Sequence, residues 1–233
     1  MLRDTVKGLG EVLKTDISRG YIVLVTGTVG TLKSGFVHQV LSNYLIENES
    51  EFGVYATLEE PKESHLRNMN SLGIRKPERL QIFDYQDIRK EWRKEEPELN
   101  MVQITDDIIK FYKEEQGEKF TVFALDSLNA LQSLAKVENL RRESYHFFAM
   151  LRDSGLTSLI IQETPAFLGE RREHVPGSFL ADGVIDLGTL ETPEAVTRYL
   201  QIRKMRAAQH SMRKHQLMVT EDGLEVLGPV YEK

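Results

Sequence analysis

With 233 residues, 40% of them hydrophobic and 28% charged, the chain is long enough for one α/β domain with a large core and too short for two comfortable ones. The lack of cysteine excludes a disulfide framework and any thiolate metal site. A formal charge of −6 argues against a uniformly basic nucleic-acid surface, and no apolar run reaches the roughly 18 residues of a membrane span. The N-terminus mixes charges and lacks the apolar centre of a signal peptide, so the expectation is a cytoplasmic protein with no membrane segment, residues 1–233 forming a single domain.

In chain order, YIVLV (21–25) reads as a buried strand. A glycine-containing turn follows, then a helix with Val37, Val40, Leu41, Tyr44 and Leu45 on one face. VYATL (54–58) is a second strand, and Pro61 opens a second helix. LQIFDY (80–85) is a third strand, and the charged stretch 89–98 is a solvated excursion that contains Trp92. Ile104, Ile108, Ile109 and Tyr112 mark a helix; TVFALD (121–126) is a strand, 140–151 a helix and LTSLIIQ (156–162) a strand. Unbroken apolar strands separated by helices demand a mainly parallel sheet covered on both faces. The last third, with short segments at 184–190, 198–205, 216–219 and 224–227, reads as an antiparallel extension.

The strongest chemical signal is GTVGTLKS (27–34), between a strand and a helix. There, loop and helix N-terminal N–H groups converge on phosphate oxygens. Gly27, Thr28, Val29, Gly30, Thr31, Leu32, Lys33, Ser34 and Gly35 form the expected nucleotide cradle. Lys33 would reach the β- and γ-phosphates of ATP, and the Ser34 hydroxyl would ligate Mg²⁺. Leu32 departs from the pattern, which has glycine before the lysine: its side chain must point away from the phosphates or obstruct them. The alternative is a strand–helix turn that binds nothing.

Asp126 ends the strand TVFAL, where ligands bind in open parallel sheets, and would hold Mg²⁺ through water. An Asp-Ser pair after a strand also begins turns and caps helices. Glu59 and Glu60 follow the second strand; either could polarise an attacking water, or simply stabilise a helix start at Pro61. Gln162 ends another strand and could bond the γ-phosphate or the water, or be an ordinary strand-end residue.

These pieces together resemble the KaiC-like branch of the RecA family over nearly the whole chain. GTVGTLKS is similar to that family's GTxGTGKT, VYATLEEP to the strand bearing its paired glutamates, and FALDSLNAL to its Walker B segment. RKMRAAQHSMRKHQLMVT (203–220) resembles its K-x-R-G-T-x-H segment, with Ala207 and Ala208 in place of the glycine and threonine. The resemblance implies a RecA-like P-loop fold, catalytic roles for Glu59 and Glu60, and Mg²⁺ at Asp126. It also implies that Lys204 and Arg206 reach a neighbouring subunit's ATP in a homo-oligomeric, usually hexameric, ring. The glycine-rich opening segment of the family is reduced here to KGLGEVLKTDISRG (7–20), and clock function is not implied.

Three functions fit. One is a slow ATPase ring acting as a regulator or timer. A second is a nucleotide-gated regulator with little hydrolysis whose output is a protein partner. The third is a DNA recombination accessory, whose candidate loops are 131–142 and 165–181. Phe167, Arg171 and Arg172 are thin support for a single-strand platform. His210 and His215 read as structural rather than as metal ligands.

Overall fold

Unbroken apolar runs become buried parallel strands and the alternating C-terminal ones become hairpins, as the computed structural model shows for residues 2–85, 101–134, 139–164, 177–193 and 195–230. After a short helix α1 (Leu9–Val12), the chain runs β1 (Ile22–Gly27), α2 (Lys33–Glu47), β2 (Phe52–Thr57), α3 (Lys62–Ser71) and β3 (Leu80–Asp84). It continues through α4 (Met101–Gln116), β4 (Phe120–Asp126), α5 (Leu128–Leu134), α6 (Leu140–Ser154) and β5 (Thr157–Glu163). The antiparallel part is β6 (Gly183–Glu191), β7 (Val196–Met205), β8 (His215–Thr220) and β9 (Gly223–Pro229). One nine-stranded sheet results, in the order β3-β2-β4-β5-β1-β6-β7-β8-β9. Its first six strands are parallel and the pairs from β6 to β9 antiparallel.

Side-chain alternation divides the core between the two faces. Val23 and Val25 of β1 pack with Phe36, Val37, Val40 and Leu41 of α2, whereas Ile22 and Leu24 pack with Ile108 of α4 and Phe147 and Leu151 of α6. The N-terminal segment closes over the α2 side through Leu2, Val6, Leu9 and Leu13. Helix α2 is therefore buried almost all round, more than a single apolar face suggests, and its polar residues need partners. The side-chain amide of Gln39 finds them on β9: it accepts from the Leu224 N–H at 2.6 Å and donates to the Leu224 carbonyl at 3.0 Å. His38 of α2 and His65 of α3 meet in the same interior, with Nδ1 and Nε2 2.9 Å apart.

Three expectations are corrected or lie elsewhere. Of the stretch 131–142 read as a loop, 131–134 belong to α5 and 140–142 to α6, which begins after the Asn139 cap, whose side chain accepts from the Arg142 N–H at 3.0 Å; residues 135–138 lie outside the described residues. Most of 165–181, with Phe167, Arg171, Arg172 and His174, lies outside the described residues, as do Trp92 and the excursion 89–98. No helix among the described residues is long and apolar enough to cross a membrane.

Leu32, ahead of α2, sits at φ 69°, ψ 29°, the left-handed region that glycine enters freely. Its isobutyl group is half-buried against the α2-side core, which holds the backbone there. Replacing Leu32 by alanine removes the packing and keeps the strain, whereas glycine removes both. Leu32→Gly should therefore be more stable than Leu32→Ala by about 1 kcal/mol in urea unfolding.

A second expectation concerns acid. Burial, then the neighbouring His65 and Lys76 charges, depress His38 to about 3 from an ordinary 6.5. Between those values the unfolded chain binds more protons than the fold, so stability is present above the unfolded pKa and lost on acidification. His65 is also lowered, chiefly by burial, and adds in the same direction. Moving from pH 7.5 to 5.0 should cost about 2 kcal/mol through His38, read as a lower urea midpoint, and the loss should shrink in His38→Leu.

Candidate functional site

The loop 28–32 leaves β1 at the C-terminal end of the parallel sheet and delivers Lys33 and Ser34 as the first residues of α2. Gly27 is required by crowding: a Cβ there would lie 2.2 Å from the Leu187 carbonyl oxygen of β6. Gly30 is required by its φ of 82°, and space around it is open. The Thr31 hydroxyl donates to the Thr28 carbonyl at 2.8 Å and stiffens the loop, while Val29 stands 82% exposed at its tip. Gly35 is buried, and a Cβ would meet Leu72 at 3.0 Å.

Lys33 is 6% exposed, and its ammonium donates across the loop to the Thr28 carbonyl at 2.8 Å. It also lies 3.5 Å from Glu163 Oε1. The Leu32 side chain packs, half-buried, against the α2-side core, so it points away from the loop interior rather than obstructing it.

Asp126 shares a face with Ala124, the face of α2. Its Oδ2 accepts from the Tyr55 hydroxyl at 2.6 Å, and the same phenol has a hydrogen-bond interaction with the Ser34 side chain. The two residues expected at magnesium are thus gathered around one phenol, and the carboxylate and hydroxyl donor set suits that hard cation.

The paired glutamates part ways. Glu60 turns onto α3, accepting from Ser64 Oγ at 2.8 Å and from Asn68, with Oε2 3.5 Å from His65 Nδ1. Glu59 is the more exposed of the two. Its pKa is raised by partial burial and by the Glu163 and Asp126 carboxylates. Glu59, Asp126 and Glu163 therefore form the acidic side of the site around Lys33. Among the described residues there is no group of three or more His, Asp or Glu arranged to hold a metal by themselves.

Gln162 is 4% exposed at the end of β5, level with Thr26, and its Oε1 is buried without a hydrogen-bond partner. It falls on the face of Ile160, away from α2; Glu163, one residue on, is the strand-end group that meets Lys33. Glu163 was missed by the sequence reading, although the alternation of Leu159 and Ile161 on the α2 face signals it. Arg198 of β7, whose Nε donates to the Gly30 carbonyl at 3.2 Å, was also missed, and nothing local marks it.

Lys204 and Arg206 sit at the other end of the sheet. Gly27 is level with Leu187 and Leu187 with Leu200, so Lys204 lies four residues, roughly 13 Å, along β7 from the loop. Lys204 Nζ donates to the carbonyls of Ser178, Phe179 and Ala181, the last at 2.6 Å. Arg206 donates to Asp182 Oδ1 at 3.0 Å and to the Phe179 carbonyl. Burial and the Arg206 charge lower the Lys204 pKa. His215 is buried and bonds the Leu227 carbonyl and Ser211, the structural role expected of it.

Comparison with known proteins agrees with this geometry. A family model described as "ATPase: KaiC" matches residues 2–231. A UPF0273 protein of Aeropyrum pernix is 32% identical over 95% of this chain and 91% of its own. The circadian clock oscillator protein KaiC of Synechococcus elongatus is 24% identical over 97% of this chain, which spans only 44% of that longer protein. Among solved structures, the KaiC-like protein PH0186 of Pyrococcus horikoshii superposes with a TM-score of 0.76 at 25% identity, covering 96% of this chain and 97% of its own. Because the family match runs almost end to end and the fold is shared with a KaiC-like structure, the chain belongs to the KaiC ATPase family, a branch of the RecA-type P-loop ATPases.

Proposed function

We propose that the chain binds ATP with Mg²⁺ in the loop 27–35, hydrolyses it slowly, and works as a regulatory ring with nucleotide between subunits. The observation that carries the reading is the convergence of Lys33, Ser34, Asp126 and Glu59 at one end of the sheet. Ser34 and Asp126 would hold Mg²⁺, which when bound offsets charge across the β- and γ-phosphates. Lys33 adds a fixed positive charge there, restrained by Glu163. Glu59 takes the proton of the water whose oxygen attacks the γ-phosphorus as the bond to the β-phosphate oxygen breaks, giving ADP and phosphate. Its raised pKa makes it a stronger base than a glutamate at its ordinary value. Glu60, bonded to Ser64 and Asn68, fixes the start of α3 beside it.

Lys204 and Arg206 cannot serve their own loop from the far end of the sheet. Held there by carbonyls and by Asp182, they would on this reading serve a second copy of this chain, where a cation stabilises transition-state charge. The packing of half-buried Leu32 against the α2-side core supports the hydrolysing reading over the one without hydrolysis, because it turns the side chain from the loop interior.

The test is steady-state ATP hydrolysis with Mg²⁺. Lys33→Ala should abolish nucleotide binding. Glu59→Gln should bind ATP normally and turn over about 10²–10⁴-fold more slowly. Glu60→Gln should lose less activity and melt earlier. Wild-type turnover no faster than that of Lys33→Ala would refute the enzyme reading.

The subunit arrangement has its own test. Lys33→Ala and Arg206→Ala, each inactive alone, should regain part of the activity when mixed, since a mixed assembly rebuilds sites with one intact loop and one intact cation. No regain in co-assembled protein would rule out supply from a neighbour.

A further inference from the structure

Three polar side chains sit where apolar ones would pack. Tyr55 at the middle of β2, His38 on α2 and His65 on α3 are each 0% exposed. Burying such groups opposes folding unless every polar atom is partnered, and phenylalanine and aliphatic residues would fill this space without that demand. The rings form one tilted cluster: His65 lies 4.5 Å from Tyr55 and 4.9 Å from His38, which is 5.6 Å from Tyr55. The 2.9 Å contact of His38 Nδ1 with His65 Nε2 requires one imidazole to donate and the other to accept. Its two ends lead to the site. His65 Nδ1 is 3.5 Å from Glu60 Oε2, and the Tyr55 hydroxyl donates to Asp126 Oδ2 at 2.6 Å while interacting with Ser34.

We propose that Tyr55 is a positioning residue for magnesium binding: its hydroxyl fixes one oxygen of Asp126 so that the other faces the metal beside Ser34, and the His38–His65 pair locks the phenol in that pose. The proposal rests on the ATP–Mg²⁺ reading above. The carboxylate has one free torsion, and a hydrogen bond to Oδ2 removes it without using the oxygen left for the cation or its water. Groups that orient a metal-binding side chain in this way typically change metal affinity 10–100-fold when removed. The histidine pair joins α2, which carries Ser34, to α3, which follows Glu59 and Glu60. Glu60 and the magnesium residues are thereby held to one set of rings.

The test uses Tyr55→Phe, which keeps the ring and deletes the hydroxyl. Two quantities are read: the Mg²⁺ concentration giving half-maximal binding of a fluorescent ATP analogue, and the melting temperature without nucleotide. The expected result is a roughly tenfold higher Mg²⁺ requirement, with metal-free nucleotide binding unchanged and a melting shift of no more than about 4 °C. A His38→Ile/His65→Leu variant should raise the Mg²⁺ requirement too, and adding Tyr55→Phe to it should raise it no further, since all three act through one hydroxyl.

An unchanged Mg²⁺ curve in Tyr55→Phe, with only the melting temperature lowered, would overturn the proposal and leave a packing role. Additive shifts would overturn the part played by the histidines. A wild-type chain whose nucleotide binding ignores both Mg²⁺ and Lys33→Ala would overturn the ATP–Mg²⁺ reading itself, and this inference with it.

Discussion

The left-handed backbone at Leu32 is the constraint on which the site depends. A parallel strand must turn within five residues into a helix whose first N–H groups face back over the strand end, and the residue before Lys33 has to take φ 69° for α2 to start there. Glycine does this at no steric cost; a leucine there costs roughly 1–2 kcal/mol. The surroundings bear that cost, because the isobutyl group is packed among the residues that bury α2. Ala207 repeats the arrangement at φ 51°, again where the family pattern has glycine. At both places the glycine conformation outlives the glycine, so a missing glycine in the motif is not a missing loop.

Around that turn opposite charges meet locally. A lysine 6% exposed would be costly alone, and it is matched by Glu163 at 3.5 Å and by carbonyl contact with Thr28. The carboxylates in turn act on one another: Glu163 and Asp126 both help raise Glu59. A group of acids with one ammonium is suited to exchanging its internal partners for a polyanion with its cation, since both signs are already represented. The same rule governs the other end of the sheet, where Asp182 stands against Arg206 and Arg152.

The sheet and the loop were legible because they rest on period and on motif. Apolar runs at β1, β4 and β5 and the short, turn-separated segments of the last third translate directly into pairing, and GTVGTLKS needs only its strand–helix context. What escaped depends on facts no local pattern carries. Glu163 was within reach, since residues 159 and 161 already point to the α2 face. Gln162, one step earlier, has the chemistry of a strand-end ligand but falls on the opposite side of the sheet, with Ile160. Tyr55 and the two histidines lie on an apolar strand and two separate helices; only the crossing of α2, α3 and β2 makes them neighbours. Arg198 reaches Gly30 across 168 residues of sequence, a contact that only the order β1-β6-β7 creates. The two glutamates are equivalent on paper and are separated by the start of α3, which draws Glu60 to Ser64 and Asn68.

The direction of β7 bears on assembly. Because β7 runs antiparallel to β6, it carries Arg198 to the phosphate-loop end and Lys204 with Arg206 to the opposite end. The strand and the turn that follows it therefore present one cation to its own loop and two more away from it. Side-chain reach cannot close the roughly 13 Å between Lys204 and the level of Gly27 while its ammonium remains on the carbonyls of 178–181. On the reading proposed above, each subunit then holds the two halves of a site at opposite ends of its sheet. Such halves can join only head to tail, and a head-to-tail contact either closes into a ring or runs on as a filament. In that arrangement the nucleotide belongs to the contact rather than to the subunit, so its hydrolysis changes the interface directly, without a signal having to travel through the core.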